Sequence, residues 1–146
     1  MIDFAAQTRP SSPNAYMIAP PGFAAAYDGA APSPVFQASV DEVSAALDQV
    51  LAGEARLKEI ARSADGLQRH VTQTSQLMRF VDDIDIAIVS QDVGLSVAIY
   101  SRSRVGYSDL GVNEKRVRRI LSGLETHLPL LSGAPSDTTS VNKSAS

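Results

Sequence analysis

Apolar residues between Val35 and Leu128 recur with two periods, and the change of period divides the chain into elements. Val40, Val43, Leu47, Val50 and Leu51 are three or four apart, which puts them on one helical face. Ser39 precedes them and Glu42 follows three residues later. That is a capping box, in which the serine hydroxyl accepts from one backbone amide and the glutamate reaches back to another. Gly53 is the stop, and the spacing predicts a helix over 40–52. Val117, Ile120, Leu121, Leu124 and Leu128 form a second such stripe, with Asn113 as N-cap and Pro129 as terminator.

Between the helices the period falls to two. Ile84, Ile86 and Ile88 alternate with Asp83, Asp85 and Ala87, so the isoleucines face the core and the aspartates face outward. Val97 and Ile99 share one face of a last strand over 95–104, with Ala98, Tyr100, Arg102 and Arg104 on the other. Asp65-Gly66 marks a hairpin between strands at 56–62 and 67–78. A turn is expected at Val81-Asp82-Asp83, another at 90–94, and a short first strand at 35–38. The order is β-α-β-β-β-β-α. It predicts an α+β fold, an antiparallel sheet of about five strands covered by two amphipathic helices.

Composition separates the ends from this unit. Residues 1–34 are rich in Ala and Pro and are expected as an extended arm, pinned by Tyr16, Ile18, Phe23 and Tyr27. Residues 35–128 form the globular domain. Residues 129–146 are expected as a disordered tail, because Ser132 to Ser146 offers almost nothing to bury.

The net charge of −3 is mild but uneven. Residues 36–98 hold ten acids and five bases, and residues 99–128 hold three acids and six bases. That asymmetry suits a contact within the chain or with a partner, and it is too weak for nucleic acid. There are no cysteines, which removes disulfides, thiolate metal sites and cysteine nucleophiles. His70 and His127 are far apart in sequence, so no histidine metal site or triad is expected, and no cofactor. With no membrane-length apolar run and no signal-peptide pattern, the expected location is cytoplasmic.

The stretch densest in polar groups runs from Arg79-Phe80-Val81-Asp82-Asp83-Ile84-Asp85 to Ser101-Arg102-Ser103-Arg104-Val105-Gly106-Tyr107-Ser108-Asp109-Leu110-Gly111-Val112-Asn113. These two motifs resemble the bacterial and plastid family called domain of unknown function 1499. The resemblance extends more weakly from about Asn14 to Leu124. It implies an envelope-associated or lumenal setting and no reaction. It also implies cysteines in many bacterial relatives at the positions of Ala19 and Ala24, which this chain lacks.

Two readings of the charged strands stand side by side. In one, Asp82, Asp83 and Asp85 neutralise Arg79, Arg102 and Arg104 on an outer sheet face, where cross-strand pairs contribute roughly 0.2–1 kcal/mol each. In the other, Arg102 and Arg104 share one face, and the Gly106 turn folds Tyr107 and Asp109 over it. Asp109 then orients one guanidinium while the other takes an anion or carboxylate. The candidate ligand-binding set is therefore Arg79, Arg102, Arg104, Tyr107 and Asp109. Lys115, Arg116, Arg118 and Arg119 form a basic helix face that could meet a protein partner or an anionic membrane surface. The expected function is a non-catalytic binding or accessory module, related to the envelope by resemblance. The alternative is a small enzyme or anion-binding protein using the Arg/Asp/Tyr cluster.

Overall fold

A computed structural model describes residues 1–106 and 108–132, and Tyr107 and residues 133–146 lie outside the described residues. Its strands are β1 (Ala15–Ala19), β2 (Ala31–Pro32), β3 (Val35–Phe36), β4 (Leu57–Arg62), β5 (Gln68–Thr74), β6 (Val81–Ser90), β7 (Leu95–Ser103) and β8 (Leu130–Ser132). The helices are α1 (Val40–Ala52) and α2 (Val112–His127). The fold is α+β, with a mixed sheet of eight strands in place of an antiparallel sheet of about five. The sheet runs β2-β1-β7-β6-β5-β4, with β3 on β7 and β8 on β3. The pairing of β1 with β2 is parallel and makes the sheet mixed.

The periodic elements are where the pattern places them. Helix α1 has the expected bounds and both halves of its capping box, Glu42 N–H to Ser39 Oγ and Ser39 N–H to Glu42 Oε1. Strands β4 to β7 form an antiparallel meander. One turn is displaced: residues 75–80 make the β5–β6 connection, and Val81-Asp82-Asp83 is already strand. Its pairing with Thr72, Gln73 and Thr74 outweighs the local turn propensity of two aspartates.

Ile84, Ile86, Ile88, Val97 and Ile99 pack with Val43, Leu47, Val117, Ile120 and Leu124 in the core beneath the helices. The other sheet face is covered as well. The segment expected as an extended arm supplies β1, paired antiparallel to β7 with Met17 opposite Tyr100, and a short 3-10 turn at Phe4–Ala6. Phe4, Met17, Ala19, Ala24 and Tyr27 pack on Ala87, Ala98 and Tyr100 as a second core. Small residues on the strands let the arm lie close, and Tyr27 meets Tyr100 edge-on with ring centroids 5.5 Å apart. Asp85 is therefore not on a solvated face and is only 1% exposed. At the other terminus, Leu130–Ser132 continues the sheet through β3 where a disordered tail was expected; the rest of that tail is outside the described residues.

The second core makes a prediction about alkaline pH. Burial pushes the Tyr27 hydroxyl from its ordinary 10.0 up to about 12. The fold favours the neutral phenol, so this contribution is complete below pH 10.0 and is lost as pH rises towards about 12. Urea midpoints of Tyr27→Phe should fall less steeply over that window than those of the wild-type chain. Identical slopes would show that the arm does not bury this hydroxyl.

Candidate functional site

The pleat divides each of the two charged motifs between the two faces of the sheet. Successive strand side chains alternate, so Asp82, Ser101 and Ser103 point under α2, while Asp83, Asp85, Arg102 and Arg104 point to the other side.

Under α2 lies a buried polar network centred on Asn113 and Arg116. Asn113 Nδ2 donates to Asp109 Oδ2 at 2.7 Å, Ser103 Oγ at 2.9 Å and the Asn14 carbonyl at 3.0 Å. Its Oδ1 accepts from Ser101 Oγ at 2.6 Å and from Arg116 Nη1 at 2.9 Å. Arg116 is 5% exposed. Its Nη2 meets Asp82 Oδ2 at 2.8 Å, and its Nε donates to Gln73 Oε1 at 2.6 Å. Gln73 in turn donates to Glu54, which receives Arg119 through two hydrogen bonds. The Arg119 guanidinium holds the Glu54 carboxyl below its usual range.

Helix α2 departs from its expected pattern in two ways. Asn113 does not cap it. The N-cap position is Gly111 at φ 83°, a left-handed turn that favours glycine. Asp109 takes the capping role, accepting from the Gly111 amide at 2.8 Å and the Asn113 amide at 3.3 Å. Asp109 thus serves the helix and orients neither Arg102 nor Arg104. Nor does Arg116 belong to an exposed basic face. It lies three residues after Asn113 and four before Ile120, on the inward stripe of α2. Arg118 pairs with Glu114 and donates to the Tyr16 hydroxyl, and Arg119 is held by Glu54, which leaves Lys115 as the one base of the four with no ion pair among the described residues.

The opposite face carries the other charged cluster. Arg104 grips Asp83 through Nε at 2.8 Å and Nη2 at 2.9 Å, and holds its carboxyl below the usual range. Arg102 lies over the Tyr100 ring, 4.7 Å from its centroid, with Nη1 2.8 Å from Asp85 Oδ2. That contact is short, yet neither atom has an aligned hydrogen bond. His70 sits between the two acids, with Nε2 3.1 Å from Asp83 and Nδ1 3.1 Å from Asp85. Only the doubly protonated ring donates to both at once. His70, Asp85 and Arg102 line a cavity of about 330 Å³ together with Met1, Ile2 and Ala61.

Of the candidate ligand-binding set, the fold brings Arg102 and Arg104 to one face of β7. Asp109 is under α2, and Tyr107 lies outside the described residues. Arg79 is exposed in the 75–80 connection and makes no ion pair or side-chain hydrogen bond among the described residues. His70 is the addition. Its register opposite Asp85 could not be read before the β5–β6 turn was located. Among the described residues, no three His, Asp or Glu side chains form a group that could hold a metal ion. No helix there is long and apolar enough to cross a membrane.

The family model described as protein of unknown function (DUF1499) matches residues 6–124. The chain belongs to this family. No curated protein matches it. The DUF1499 match spans both sides of the sheet, including the arm residue Asn14 and the whole Asn113–Arg116 network. In this DUF1499 chain, the motif residues Asp82, Ser101, Ser103, Asp109 and Asn113 bond one another or Arg116.

The network separates two costs. Asn113→Ala strands the buried donors of Ser101 and Arg116, and should cost at least about 3 kcal/mol. Asp109→Ala removes a cap and should cost about 1 kcal/mol. Urea unfolding compares them directly, and equal costs would mean that Asn113 acts as a cap alone.

Proposed function

We propose that this DUF1499 chain is a non-catalytic binding module whose His70/Arg102 cavity takes a small ligand with an anionic group, most simply a carboxylate. The observation that carries this reading is the state of Arg102. Its guanidinium lies over the Tyr100 ring, the residue lines the cavity, and its one ion pair is not aligned as a hydrogen bond. Donors therefore remain for a planar, bidentate acceptor. Tyr100 and Asp85 fix the guanidinium beforehand, which lowers the ordering cost of binding.

Catalysis is the weaker reading. Arg104 keeps Asp83 ionised, which suits neither a general acid nor a tuned base. Among the described residues no hydroxyl bonds to His70, so nothing there resembles an activated nucleophile. We take the place of work to be the cell envelope, on the family resemblance alone.

Titration of isotope-labelled protein with acetate, and separately with inorganic phosphate, tests the reading by NMR. Saturable shifts are expected at the Arg102 Nε–H and His70 ring signals. Arg102→Lys keeps the charge opposite Asp85 but loses the planar fork, so it should fold and bind neither anion. Signals that stay fixed in the wild-type chain, or binding that survives in Arg102→Lys, would refute the proposal.

A further inference from the structure

Three connections meet at one end of the sheet. Leu57 pairs with Gln73, Thr74 with Val81, and Asp82 with Ser103, so residues 53–56, 75–80, 104–106 and 108–111 are neighbours. This end exposes Leu77, Met78, Phe80, Val105, Leu110 and Val112. Leu77 at 89% and Leu110 at 85% are the most exposed large apolar side chains among the described residues. The opposite end, formed by the turns at 63–67 and 91–94 with β8 beside them, exposes Leu67, Val93, Leu130 and Leu131, none above 68%. Apolar side chains gathered in this way mark a contact surface, whereas single ones do not.

Charge at the same end has one sign left over. Asp83 is held by Arg104, Glu54 by Arg119 and Glu114 by Arg118, and Asp109 accepts from helix amides. Arg56, Arg79 and Lys115 have no acidic partner among the described residues. Backbone conformation singles out these connections too. Among the described residues, the three non-glycine residues with left-handed φ are Arg56 at 55°, Arg79 at 58° and Leu110 at 54°, and all are here. Such conformations are costly and persist where surrounding structure or function requires them.

We propose that this end of the sheet docks on an anionic lipid bilayer. Leu77, Met78 and Leu110 sit on connections between elements, not on a broad face. A protein partner needs a patch of roughly 800 Å² per side, whereas a lipid surface accepts separate loop tips. Arg56, Arg79 and Lys115 complement anionic headgroups, and their aliphatic stems can lie along the apolar layer. This surface excludes Arg102, so it does not depend on the anion-binding proposal. It also moves the membrane contact from the outer face of α2, where Arg118 and Arg119 are ion-paired, to the sheet end.

The test is co-sedimentation of the full chain with vesicles of equal parts phosphatidylcholine and phosphatidylglycerol, and with vesicles of phosphatidylcholine alone. The chain should bind the first, bind the second far less, and lose affinity as salt rises. The double substitution Leu77→Ser, Met78→Ser should lower affinity for anionic vesicles at least about tenfold. Leu110→Asn should also weaken binding, since asparagine tolerates left-handed φ and keeps the turn. Val93→Ser, at the opposite end, should change nothing. Absence of binding to anionic vesicles, binding unchanged in the double variant, or self-association abolished by it would overturn the proposal, the last by assigning this end to a second copy.

Discussion

The guanidinium of Arg116 is the constraint around which the helical side of this protein is arranged. A buried charge is tolerated only when paired and hydrogen-bonded, and Arg116 recruits Asp82 from β6, Gln73 from β5, Ser101 from β7 and Asn113 from its own helix. Those partners are directional, so they set the position of α2 along and across the sheet in a way that apolar packing alone does not. Helix α1 is held by the same device. Arg69 of β5, almost wholly buried, donates to Asp48 Oδ1 at 2.7 Å and Ser44 Oγ at 3.0 Å. Each helix is thus fastened to the sheet by one buried arginine over an otherwise aliphatic core.

This arrangement explains why the motif residues alternate in role. Position 82 serves the helix side, and positions 83 and 85 serve the other. Ser101 and Ser103 serve the helix side, and Arg102 and Arg104 the other. One strand pair therefore carries structural chemistry on one face and the candidate ligand cluster on the other. The N-terminal arm makes this division possible by roofing half of the second face with Phe4, Met17 and Tyr27 while leaving His70 and Arg102 partly open.

Much of the fold was legible in the chain because periodicity reports burial directly. The period of α1, its capping box and the Ile84/Ile86/Ile88 alternation led to the correct elements and core face. The arm was not legible. Ala15-Tyr16-Met17-Ile18-Ala19 is short, flanked by prolines, and has small residues where a strand pattern looks for branched ones. Its place comes from pairing with β7, a tertiary fact. The geometry of the candidate site was half legible. Arg102 and Arg104 were placed correctly on one face, but Asp109 was assigned to them, since the left-handed turn at Gly111 that directs it to α2 leaves no periodic trace. Arg116 was grouped with its basic neighbours although its spacing from Asn113 and Ile120 puts it on the inward stripe.

The account stands on the Asp82–Arg116 pair being a coupled fastening between β6 and α2. A double-mutant cycle in urea unfolding, with Asp82→Asn, Arg116→Met and the two combined, measures that coupling most directly. Each single change should cost about 3–5 kcal/mol, because it leaves a buried charge without its partner. The double variant should recover at least about 1 kcal/mol of the summed losses. Costs that add to within about 0.5 kcal/mol would contradict the account.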